Sequence, residues 1–181
     1  MVDAAPKDQS PGEDAIFRIF IAADIQRVWR ELIKTGEAQG AVFNAGLHTR
    51  GLVPGAAMQM RTGSGRHVLV VGEVLACEAP FRYAHTHRFT QHDDPVCEVH
   101  YELKPAGSGV EVTLRIVGLP PGTATAKSMG SGSTMILNAL KSICETGRPP
   151  LGTRLMYFAF EHMEFVLPAR TRSEHWPMNK K

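Results

Sequence analysis

The chain has 181 residues, 43% of them hydrophobic and 21% charged, with a formal net charge of +2. That length suits one domain with a sizeable core, and the balance is that of an ordinary soluble globular protein. A charge so small and so scattered argues against nucleic acid or an anionic membrane surface as partner.

No apolar run approaches the ~18 residues that a membrane span requires. The opening "MVDAAPKDQSPGED" lacks the apolar stretch of a signal peptide. Cys77, Cys97 and Cys144 are widely spaced without any C-x-x-C, so neither a disulfide framework nor a zinc knuckle is encoded. The expected compartment is a reducing cytoplasm.

Residues 1–13 are polar and carry Pro6, Pro11 and Gly12, the composition of a disordered arm. "AIFRIFI" (15–21) reads as a strand. "ADIQRVWRELIKTG" is the clearest helix: Asp24 can cap it, Ile25, Val28, Trp29, Leu32 and Ile33 share one face, and Gly36 can close it. A second short helix or turn is expected around "EAQGAVF". From Gly46 to Val117 the period becomes two, with candidate strands at 47–52, 57–62, 66–76, 82–90, 96–104 and 109–117. "TGSGR" and "PAGSG" read as hairpin turns, so these strands form an antiparallel meander.

In "RYAHTHRF", Tyr83, His85, His87 and Phe89 leave one face and Arg82, Ala84, Thr86 and Arg88 the other. The next two strands turn Cys97, Val99, Tyr101 and Leu103, then Val110, Val112, Leu114 and Ile116, toward the same interior. A long helix over 132–146 should cover it, with Ser131 or Ser133 as N-cap, a stripe at Ile136, Leu140 and Ile143, and Gly147 as the stop before Pro149 and Pro150. "TRLMYFAFEHMEFVL" carries Leu155, Phe158 (or Ala159), His162 and Val166 at helical spacing. A helix of about fifteen residues is marginal alone in water, so it needs this domain, or a second copy in a homodimer, to pack on.

Four stretches in this order resemble START-like (SRPBCC) domains of the heat-shock protein 90 ATPase activator type. "IFIAADIQRVWREL" matches at Ile21, Ala22, Val28, Trp29 and Leu32, and "VPGAAMQMR" at Pro54 and Gly55. "GEVLACEAPFRYAHTH" matches at Gly72, Glu73, Val74, Leu75, Pro80, Arg82 and Thr86, and "LNALKSICETGRP" at Leu140, Lys141, Glu145 and Gly147. The resemblance implies an α+β helix-grip (START/Bet v-like) fold over 14–148: a curved antiparallel sheet wrapped around a long C-terminal helix, with two short helices after the first strand. Residues 149–181 then form a C-terminal extension with one additional helix. The family often has Trp where His87 stands and Gly-Trp where this chain has Gly132 and Ser133. Smaller side chains there should enlarge or wet the cavity.

A helix-grip fold implies a hydrophobic or amphipathic small molecule held between sheet and long helix. Alternatives are an enzyme of cyclase or hydratase type, using a cavity histidine as general acid or base, and a chaperone-ATPase regulator. The expected lining is Trp29, Phe43, Met58, Met60, Tyr83, His85, His87, Cys97, Tyr101, Leu114, Met135, Ile136 and Leu140. Met129 joins the methionines that would suit adaptable apolar ligands.

His85-Thr86-His87 could supply two metal ligands, but on the facing strand Cys97 alone is a good third. Cavity lining is therefore the preferred reading, and no metal or cofactor is expected. Cys97 beside these histidines is nucleophilic by type, yet a buried cysteine is usually a small hydrophobe. "GSGST" lacks the spacing of a phosphate loop. The histidines' own face carries no orienting carboxylate, Glu145 being the nearest by type, so binding is favoured over catalysis and no catalytic residue is assigned.

Overall fold

The computed structural model describes residues 12–178. In chain order the elements are β1 (Glu13–Ile21), α1 (Ile25–Ile33), β2 (Ala38–Gln39), β3 (Ala45–Thr49), β4 (Ala57–Arg61), β5 (Val68–Glu78), β6 (Arg82–Phe89), β7 (Cys97–Ala106), β8 (Gly109–Leu119), α2 (Ala124–Thr146) and α3 (Leu151–His162). The strands make one curled antiparallel sheet in the order β1-β8-β7-β6-β5-β4-β3-β2. Each strand from β2 to β8 pairs with the next, and β1 returns to the far edge beside β8. With α2 laid against β1, β8 and α1, this is a helix-grip architecture.

Local chemistry accounts for most boundaries. The Asp24 side chain accepts from the Gln26 amide at 2.8 Å, and α1 buries Val28, Trp29 and Leu32. That helix ends at Lys34, two residues before Gly36, because the Gln39 amide donates to the carbonyls of Leu32 and Lys34 at 3.0 Å each.

The expected second short helix does not form. Ala38 and Gln39 pair with Gly46 and Ala45 instead, and the chain turns through Phe43 (φ 52°) and Asn44 (φ 55°), a left-handed backbone that cannot propagate a right-handed helix.

Two further boundaries move. The long helix starts at Ala124 rather than near 132, since Thr123 Oγ1 accepts from the Ala126 amide at 3.1 Å and Asp94 accepts from the Thr125 amide at 2.9 Å. These caps satisfy first-turn donors, and the glycines at 130 and 132 are carried inside the helix. Strand β1 begins at Glu13, inside the segment expected to be a disordered arm, because Glu13 pairs with Leu119. Beside it Asp14 accepts from Arg115 at 2.6 Å. Residues 1–11 of that arm lie outside the described residues.

The core sits between sheet and α2, where Ile21, Val28, Val74, Val112, Ile116 and Leu140 are fully buried. At Gly72 the β5 backbone comes so close to β6 that an added Cβ would lie 1.9 Å from the Thr86 carbonyl oxygen. Nearby, the Glu73 amide donates to Thr86 Oγ1 at 2.8 Å. The pairing register of β5 with β6 shifts between Val74 and Ala76. This close approach holds the segment of β6 that carries the two histidines.

Candidate functional site: a ring-lined cavity between sheet and helices

Between the concave sheet face, α2 and the C-terminal extension lies a cavity of about 840 Å³. Strands β3 to β8 provide its floor. The turn Val42–Ala45 provides one flank, and Ser128–Ile136 of α2 part of the roof. Six of the chain's eight methionines line it: Met58, Met60, Met129, Met135, Met156 and Met163. Unbranched thioether side chains can reshape such a wall to fit its contents.

Along β6 the rings form a ladder. Tyr83 and His85 have centroids 5.4 Å apart, His85 and His87 5.8 Å, and His87 meets Phe89 edge-on at 4.7 Å. Tyr101 stacks on Tyr83 from β7 at 6.4 Å. Both histidines are buried, at 7% and 8% exposure. Desolvation pushes the His85 pKa down to about 4, and desolvation with the neighbouring His85 pushes His87 to about 3. Each is therefore a neutral imidazole near pH 7. His85 Nδ1 lies 2.9 Å from the Thr86 carbonyl, which only accepts, so the proton is on Nδ1 and Nε2 is left as an acceptor.

Ten of the thirteen residues singled out in the sequence stand in this lining: Phe43, Met58, Met60, Tyr83, His85, His87, Tyr101, Leu114, Met135 and Ile136. Trp29, Cys97 and Leu140 do not. Trp29 and Leu140 are buried in the core between α1, α2 and the sheet. The Cys97 thiol donates to the His87 carbonyl at 3.7 Å, and burial pushes its pKa up to about 11. A thiol held in that form is no nucleophile. Glu145 does not reach the histidines either: it accepts from the Ala22 amide at 2.7 Å and pairs with Lys141 on the outside. Among the described residues, no cluster of three or more His, Cys, Asp or Glu could hold a metal ion.

Sequence reasoning missed one wall. Met156, Tyr157, Phe160 and Glu161 of α3, then Met163, Glu164 and Val166 to Pro168, close the cavity on the side of the extension. The extension is fastened at several points. Tyr157 donates to the Gly40 carbonyl at 3.0 Å, and Asn44 donates to Glu161 at 2.6 Å. Ser64 donates to Glu164 at 2.6 Å, and the Ser173 amide donates to the Arg66 carbonyl at 2.9 Å. Farther on, Gln59 donates to the Trp176 carbonyl at 2.9 Å and Arg88 stacks over the Trp176 ring. The sequence signal was the run of apolar residues at 155–166, whose destination no local pattern encodes. α3 turns Tyr157 inward and leaves Leu151, Leu155 and Phe158 more than 60% exposed.

A curled sheet gripping a long helix over a ring-lined apolar cavity defines a helix-grip protein of START-like type. The sequence profile described as "Activator of Hsp90 ATPase homolog 1-like protein" matches residues 13–145, and the chain belongs to that family. Among solved structures it is similar to the Aha1 dimer from Colwellia psychrerythraea, at 16% identity over 75% of this chain and 98% of that one, with a TM-score of 0.61. It is also similar to an HSP90 activator from Plasmodium falciparum, at 14% identity over 76% and 99% of the two chains, TM-score 0.60. CalU16 from Micromonospora echinospora aligns over 85% of this chain and 87% of its own at 20% identity, TM-score 0.57. At these identities the likeness is one of fold. Among curated proteins, none matches the chain.

Proposed function

We propose that this protein binds a hydrophobic or amphipathic small molecule in the cavity between its sheet and long helix. The observation that carries the reading is the cavity itself, about 840 Å³ and walled by methionines, aliphatics and stacked rings. That volume lies in the range of small-molecule sites, whose usual make-up is an apolar wall with a few placed polar groups. Burying ~250 Å² of ligand apolar surface contributes about 6 kcal/mol before association costs, and micromolar affinity needs about 8 kcal/mol net. The polar atoms on the ring ladder must therefore contribute as well. The test is titration of a neutral environment-sensitive dye: blue-shifted, saturable emission at one dye per chain supports the reading, and its absence sinks it.

Catalysis by a cavity histidine is less well supported. The imidazoles are neutral, but among the described residues the one partner of a ring nitrogen is the Thr86 carbonyl on His85, and no carboxylate there orients either ring.

Regulation of a chaperone ATPase is the second reading, suggested by the family's description and by the activators among similar structures. A homodimer is supported by the exposed Leu151, Leu155 and Phe158 and by a similar structure solved as a dimer. Sedimentation of wild type against a Leu155→Glu, Phe158→Glu variant tests it. No helix among the described residues is long and apolar enough to cross a membrane. The free cysteines, two of them buried, support a reducing cytoplasm as the compartment.

A further inference from the structure

α3 has two apolar faces. At about 3.6 residues per turn, Met156, Tyr157 and Phe160 fall on the side that walls the cavity. On the opposite side Leu151, Leu155 and Phe158 stand 68%, 64% and 63% exposed, with exposed His162 after them. A helix apolar on both sides belongs between two partners, and the domain supplies one of them.

The spacing of the outer residues indicates the second. From Leu151 the stripe advances by four, three and four residues to His162, the a/d rhythm of a seam between two helices. His162 is fixed in that row: its Nδ1 donates to the Phe158 carbonyl at 2.8 Å, and the two ring centroids lie 4.2 Å apart. Gly152 and Ala159 flank the seam on one side, small enough for another helix to come close.

Charge then fixes the direction of that helix. The other flank of the seam carries Arg154 and Glu161, both exposed. Glu161 accepts from Asn44 through one carboxylate oxygen, and the second is unengaged among the described residues. Two copies of α3 running antiparallel, with Leu155 level with the partner's Phe158, bring Arg154 beside the partner's Glu161. Two-fold symmetry then forms the same ion pair twice. A parallel arrangement would set Arg154 against the partner's Ala159 and match no charge.

We propose that two copies of this chain pair antiparallel through α3, with Leu151, Leu155, Phe158 and His162 as the seam and Arg154 to the partner's Glu161 as its flanking ion pairs. This rests on the homodimer reading above and adds the surface, the orientation and the charges that specify it. The seam exposes roughly 500 Å² per copy, or about 1,000 Å² for the pair, the low end of specific interfaces. The dimer is therefore reversible, with a dissociation constant of about 1 μM or weaker. Because the other face of the same helix walls the cavity, the partner also clamps that wall in place.

The test is sedimentation equilibrium of the full chain from about 1 to 500 μM. Wild type should pass from monomer to dimer. Arg154→Glu and Glu161→Arg should each weaken association about tenfold, since two ion pairs become two repulsions. The double variant should regain wild-type association, because the exchanged charges attract again; a merely structural effect of either change would not be rescued. Hydrogen exchange of the Met156 to Phe160 amides should slow in wild type as the dimer forms. An Arg154→Glu variant that associates like wild type, or a double variant as weak as the single ones, would overturn the pairing while leaving a dimer through another surface. Exchange that is equal in monomer and dimer overturns the clamp. Wild type that stays monomeric throughout overturns this pairing and the homodimer reading together.

Discussion

Ser64, in the loop between β4 and β5, donates its hydroxyl to the carboxylate of Glu164 at 2.6 Å, one hundred residues away. Glu164 is 6% exposed and stands in the cavity wall. Burial alone would raise its pKa. Hydrogen bonds from Ser64, Thr62 and Arg66 outweigh that and hold it below the usual carboxylate range. The pair is a latch that fixes the extension against the sheet.

Replacing Glu164 by Gln should weaken that latch, since it exchanges a charged acceptor for a neutral one. A loss of about 1–3 kcal/mol is expected from a buried charge-assisted hydrogen bond. Urea unfolding measures the loss. Limited proteolysis should find new cleavage sites C-terminal to Gly147; an unchanged digestion pattern would show that the extension is held by other contacts.

Truncation after Gly147 removes the Tyr157, Glu161 and Glu164 contacts together and opens the cavity on that side. The truncated chain should melt at lower temperature and bind a neutral dye more weakly. Equal melting and equal dye affinity in the two proteins would mean that the extension neither supports the domain nor closes its cavity.

Stability should fall in mild acid through the buried histidines. In the fold they titrate at about 4 and about 3, against about 6.5 in the unfolded chain. Between those values the unfolded chain binds more protons, so the stabilisation is fully present above pH 6.5 and is lost as the pH drops. The slope is up to about 1.4 kcal/mol per pH unit for each histidine. Urea midpoints from pH 7.5 to 5 should therefore drop more steeply for wild type than for a His85→Phe, His87→Phe variant. Parallel curves would show that neither imidazole is buried neutral.

Gly72→Ala should be among the most damaging single-methyl additions. The new Cβ meets the Thr86 carbonyl oxygen at 1.9 Å, and backbone cannot rotate away as a side chain can. About 3 kcal/mol or more is expected, with loss of dye binding as β6 shifts. Chemical denaturation gives the first number; a cost below about 1 kcal/mol would show that β5 relaxes freely.

The alternation of Tyr83, His85, His87 and Phe89 with Arg82, Thr86 and Arg88 was enough, by itself, to put the histidines on the inward face, because a strand's side-chain period of two is a local property. The Asp24 cap and the face of Val28, Trp29 and Leu32 were legible for the same reason. Parity assigns a face but not a position along it. Cys97 therefore points inward yet ends beneath the His87 carbonyl, outside the cavity, and Leu140 packs in the core where α2 crosses β1 and β8. Two left-handed residues, Phe43 and Asn44, replaced an expected helix, since a non-glycine left-handed turn has no strong composition signal. What only the tertiary structure decided is the missing wall. Met156, Tyr157, Phe160 and Met163 reach the cavity through contacts such as Tyr157 to Gly40 and Glu164 to Ser64, each spanning about a hundred residues or more of chain. Likewise, whether Ser133 and Tyr83 are paired or orphaned depends on which groups the folded chain brings within about 3 Å, and no pattern of neighbouring residues encodes that.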